Sequence, residues 1–95
     1  MTNISFKIQG FLNRPTITCY HTINEERVLF AAFELNHRAH TLQGAWEHSE
    51  EEFLLSYDEY ANMSPDLFAL KMWELYSNAK SLKPNNERVT VTQIN

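Results

Sequence analysis

Near the N-terminus, two segments with strand-like residue patterns flank a turn signal. In residues 4–12, ISFKIQGFL, apolar and polar residues alternate as far as Ile8, which is typical of a half-buried β-strand. The next three residues, 13–15 (NRP), are typical of a turn, and residues 16–23, TITCYHTI, are rich in β-branched and aromatic side chains. The pattern predicts a β-hairpin, so whatever fold the chain adopts must contain a sheet.

The composition indicates one folded domain over residues 1–95. Hydrophobic residues make up 43% of the chain and aromatic residues 13%, which is enough to bury a core. The chain has only two glycines and three prolines, and no stretch of it resembles a linker or a low-complexity segment.

The segment 25–40 has two interpretations. Residues 28–35, VLFAAFEL, could form a buried strand. A helix is favoured, because Asn24 is a capping residue type and two glutamates follow it in what would be the first helical turn. The apolar residues also share one arc at 3.6 residues per turn. The choice between helix and strand stays open at this point.

The remaining elements complete the predicted order. Residues 41–47 are expected to form a short strand, and Ser49 with Glu52 forms a capping box that starts a helix. A second helix is expected over residues 65–80, and residues 88–94 alternate like a last strand.

These elements predict an α+β fold. The expected architecture is a small antiparallel sheet, made of the N-terminal hairpin and the C-terminal strand, with about three helices packed on one face.

The least ordinary feature is the acidic segment 47–60, EHSEEEFLLSYDEY, which holds six of the twelve acidic residues. No Lys or Arg occurs between Arg38 and Lys71. On a helical wheel, aromatic and aliphatic residues occupy one arc of residues 50–61, and the opposite arc is acidic with Leu55 in its middle.

Part of this acidity is what a helix N-terminus favours, but Asp58 and Glu59 lie toward the C-terminal end, where the helix dipole disfavours negative charge. A leucine among carboxylates has the layout of an interface, in which a polar rim surrounds an apolar contact. The predicted partner-binding residues are Glu47, Glu51, Glu52, Leu55, Asp58 and Glu59. The alternative is that the acidic arc is only a solvated helix face.

Charge and composition bear on the class of partner and on location. The net charge is −4 and the basic residues are scattered, which argues against direct binding to nucleic acid. The N-terminal residues do not resemble a signal peptide, and no apolar run has the length of a membrane helix. The one cysteine, Cys19, fits a reducing compartment, so a cytoplasmic location is expected.

The leading functional hypothesis is a non-enzymatic protein that binds a basic surface of a partner enzyme or complex through the acidic helix. That surface could be one that holds nucleic acid, as in a phage-type anti-CRISPR or anti-restriction inhibitor; this step is an analogy between classes of protein. No cofactor or metal is assigned under this hypothesis.

Other hypotheses remain. A small metal-dependent enzyme could use His37, His40 and His48 with Glu47 or Glu51, although the HExxH order is absent. Alternatively, the chain could be a structural subunit that self-associates through apolar surface on the sheet, and the choice between monomer and homodimer is open.

A further nucleophilic arrangement is also conceivable. Cys19 and His21 would lie on one face of a strand, where a nucleophilic pair is possible but a buried cysteine is the commoner outcome.

Overall fold

The computed structural model describes residues 2–46, 57–79 and 88–94. Within them the chain forms five strands and two helices. The elements are β1 (Thr2–Phe11), β2 (Arg14–Ile23), β3 (Glu26–Asn36), β4 (Thr41–Trp46), α1 (Tyr57–Tyr60), α2 (Pro65–Ala79) and β5 (Val89–Ile94).

The five strands form one mixed sheet in the order β4-β3-β2-β1-β5. Neighbours are antiparallel from β4 to β1, whereas β5 runs parallel to β1, with Val91 opposite Ile4. A parallel neighbour requires a crossover connection, and α2 lies within it, packed over β1, β2 and β5.

The predicted architecture is wrong in two respects. The sheet is mixed and five-stranded rather than small and antiparallel, and the described residues contain two helices rather than about three. The N-terminal hairpin, the short strand over residues 41–46, the helix that begins at Pro65 and the C-terminal strand beside β1 are confirmed.

The main correction concerns residues 25–40, where the favoured helix is replaced by β3. Asn24 does not cap a helix: with φ of 49° it forms, together with Glu25 at 70°, the two central residues of a β-hairpin turn. Positive φ at both positions is the signature of a type I′ turn, whose twist matches that of the flanking strands. Strand β3 is then paired on both sides, with β2 and with β4.

A β-bulge at Phe30 explains why the spacing in this segment resembled a helix. Cys19 pairs with Ala31 while the next residue, Tyr20, pairs with Leu29, so Phe30 is an extra residue on β3. Phe30, Ala31, Phe33 and Leu35 are all buried. Up to Phe30 the even-numbered residues of β3 face the core, and from Ala31 onward the odd-numbered residues do. This switch breaks the alternation with a period of two by which a strand is recognised in a sequence.

The core lies between the sheet and α2. From α2, the side chains of Phe68, Met72 and Trp73 are buried. Phe30 lies 5.3 Å from Trp73 in a T-shaped arrangement, measured between ring centroids, and 5.2 Å from Tyr76 in a stacked one. These geometries are favourable for aromatic pairs.

Gly44 provides the space that one of these aromatic rings needs. Phe33 lies opposite Gly44 across the β3–β4 pair. A Cβ atom at position 44 would lie 2.2 Å from Cδ1 of Phe33 and 2.3 Å from the carbonyl oxygen of Ala32. Both distances are shorter than a van der Waals contact, so any side chain at this position forces the ring and the strand apart.

We predict that Gly44→Ala lowers the free energy of unfolding by about 1–3 kcal/mol, because it overpacks the contact with Phe33. Urea denaturation measures the change. The matched control is Gln43→Ala at the adjacent exposed position, where the expected change is within about 0.5 kcal/mol. Equal stability of the two variants would contradict the described packing.

The β2–β3 turn yields a second prediction. Glu25→Gly should raise the free energy of unfolding by about 0.5–1 kcal/mol, because glycine adopts positive φ without the steric cost that a glutamate carries. Glu26→Gly is the control: it makes the same charge change inside β3, where glycine weakens the strand. Thermal denaturation of both variants checks the prediction, and a destabilised Glu25→Gly variant would exclude the type I′ turn.

Candidate functional site

Helix α1 carries the described part of the predicted partner-binding surface. Asp58 and Glu59 are exposed, whereas Tyr57 is half-buried and Tyr60 is buried. The two arcs predicted for this turn of the helix, one aromatic and inward and one acidic and outward, are therefore confirmed here. The other predicted residues, Glu47, Glu51, Glu52 and Leu55, lie outside the described residues, as do His48 and the predicted capping box.

Two tyrosines fix the orientation of this short helix. The ring of Tyr60 packs edge-on against Phe68 of α2 at a centroid distance of 5.7 Å. The hydroxyl of Tyr57 forms a 2.7 Å hydrogen bond with Nδ1 of His37, and the ring of His40 stacks on Tyr57 at 5.1 Å with an interplanar angle of 2°. The exposed carboxylates are thus carried by a turn that is attached to the fold on its other side.

The acidic pair has no cationic partner in the described part of the chain. Neither Asp58 nor Glu59 lies within ion-pair distance of a described Lys, Arg or His side chain, whereas Arg14 pairs with Glu34 at 2.6 Å. Burial, together with the negative charge of Glu59, raises the pKa of the Tyr60 hydroxyl. The negative charge of Glu59 therefore affects the buried side of α1 as well as its exposed side.

The histidines of the metal hypothesis occupy different positions from those predicted. His37 and His40 lie in the connection between β3 and β4 rather than at the end of a helix. They meet at Tyr57, and Nδ1 of His37 is engaged by the tyrosine hydroxyl. Within residues 2–46, 57–79 and 88–94, no three His, Cys, Asp or Glu side chains are placed to hold a metal ion. The predicted contributions of His48, Glu47 and Glu51 fall outside these ranges.

Cys19 and His21 lie on one face of β2, as predicted, but both are packed in the core layer. Cys19 is fully buried, and burial raises the pKa of its thiol to about 12. The His21 ring contacts Phe30, Trp73 and Tyr76, and burial lowers the pKa of its imidazole. Both shifts favour the neutral forms, whereas nucleophilic attack by a cysteine needs the thiolate.

The structure also contains a feature that the sequence analysis missed. A cleft of about 170 Å³ opens where the β1–β2 hairpin meets the start of α2. Most of its lining is apolar, with polar groups supplied by His37 and Tyr60; the residues that form its walls include Ile8, Pro15, Leu35, Tyr60, Met63 and Phe68.

Beside this cleft, the hairpin turn carries two exposed apolar residues, Phe11 and Leu12. The signal available in the sequence was the apolar pair at residues 11 and 12, where the alternation of β1 stops. The sequence predicted the turn at residues 13–15, but it is formed by Leu12 and Asn13, because β2 already begins at Arg14.

No protein-family model, no curated protein and no solved structure matches the chain. Among the helices of the described ranges, none is long and apolar enough to cross a membrane. The geometry and charge of the residues themselves are therefore what indicates a function.

The burial of Cys19 leads to a prediction about its reactivity. It is the only cysteine, so alkylation reports on it alone. A pKa of about 12 in place of 9.0 reduces the thiolate fraction near pH 8 by a factor on the order of 1000. Iodoacetamide should therefore label the folded protein on the order of a thousandfold more slowly than the urea-unfolded protein. Rates within tenfold of each other would show that the thiol is accessible.

The same pKa shift affects stability in alkaline solution. The thiol ionises near pH 9.0 in the unfolded chain and near pH 12 in the folded one, so the unfolded state releases the proton first as pH rises. The contribution of Cys19 to the free energy of unfolding is thus complete below pH 9 and falls between pH 9 and 12.

Proposed function

We propose that this chain is a non-enzymatic protein that binds a basic surface of a partner enzyme or complex through its acidic helix. The observation that carries the proposal is the pair of exposed carboxylates, Asp58 and Glu59, on a helical turn that Tyr57 and Tyr60 attach to the core. The remaining contact residues are those expected from the sequence: Glu47, Glu51, Glu52 and Leu55.

The lack of a nearby cation in the described ranges supports a role other than stability. Asp58 and Glu59 are adjacent exposed carboxylates on α1, whose four residues form a single turn. No described cation pairs with either of them, in contrast to Glu34, which pairs with Arg14. A surface that served only solubility would mix its charges, whereas a surface for a cationic partner would keep them alike.

The attachment of the turn supports binding as well. The contacts of Tyr57 with His37 and His40 hold the carboxylates in place before any partner arrives. Pre-organised groups lose less conformational freedom on association, so more of the interaction energy appears as affinity. A cluster of negative charges also attracts a basic surface from a distance and so accelerates association with it.

The kind of partner follows from the same chemistry. Carboxylates spaced along a helix can occupy the sites where a nucleic-acid-handling protein holds phosphate groups, which would make this chain a competitive inhibitor. Anti-restriction and anti-CRISPR inhibitors are the classes that this proposal resembles, by analogy of mechanism alone. We place its action in the cytoplasm, where such partners act and where a free thiol such as Cys19 stays reduced.

A charge-reversal pair tests the proposal. Asp58→Lys/Glu59→Lys changes the acidic turn, and Glu25→Lys/Glu26→Lys makes the same change at the exposed β2–β3 turn. Each double variant moves the net charge from −4 to 0, so the two differ only in where the charge lies. We expect the first variant to bind the partner at least tenfold more weakly and the second to bind within about threefold of the unaltered protein.

The partner for this test is the protein retained from a host lysate at about 50 mM NaCl and released at about 500 mM NaCl, since exposed charge contacts weaken with salt. Its affinity for each variant is then measured by surface plasmon resonance, with circular dichroism as the check on folding. If both variants lose affinity equally, the effect is one of net charge and not of the acidic turn. If neither loses affinity, the acidic turn is not part of the interface.

A further inference from the structure

We draw no further inference here: the strongest candidate, the apolar cleft between the β1–β2 hairpin and the start of α2 with the exposed side chains of Phe11 and Leu12 near it, carries none, because nothing in residues 2–46, 57–79 and 88–94 shows what covers it.

Discussion

The packing of Phe30 and Phe33 against α2 is the interaction on which the rest of the structure depends. The bulge in β3 turns Phe30 toward Trp73 and Tyr76, while Phe33 packs edge-on against Phe68. Strand β3 joins β2 to β4, so these contacts connect α2, which packs over β1, β2 and β5, to the remaining strands of the sheet. Phe68 in turn supports Tyr60, and through Tyr60 the turn that presents Asp58 and Glu59. The position of the acidic pair is therefore a consequence of core packing.

How much of this fold was readable from the sequence depended on the regularity of each pattern. The N-terminal hairpin and α2 follow regular periods of 2 and 3.6, and both elements were predicted correctly, except that the hairpin turn lies at residues 12–13 rather than 13–15. The prediction for residues 26–36 was wrong because one extra residue, Phe30, shifts the alternation halfway along the strand. The resulting spacing of apolar residues resembles that of a helix. Asn24 added to the error, since Asn serves equally as a helix cap and as the first residue of a type I′ turn. Which role it takes is decided by long-range pairing with β2.

The candidate site was predictable in the same uneven way. The outward arc at Asp58 and Glu59 follows from local helical geometry, so the sequence was sufficient to place it. The contacts of Tyr57 with His37 and His40 join residues 17 to 20 positions apart, and no local pattern indicates them. The cleft is likewise built from four separate parts of the chain, which meet only once the sheet has formed. Phe11 and Leu12 became informative when the structure showed that they are exposed within the part of the chain it describes.

The two surfaces use different physics. The acidic turn offers charge that no described cation pairs with, and the hairpin turn offers exposed apolar side chains near an apolar cleft. Only the acidic turn bears on the proposed function, that this chain excludes nucleic acid from a basic surface.

The most direct measurement is fluorescence anisotropy of a labelled oligonucleotide bound to the salt-sensitive partner, with increasing amounts of this protein. We expect complete release of the oligonucleotide at a stoichiometric end point, and less effective release as salt rises. A stable ternary complex, in which partner, oligonucleotide and this protein remain together, would contradict it.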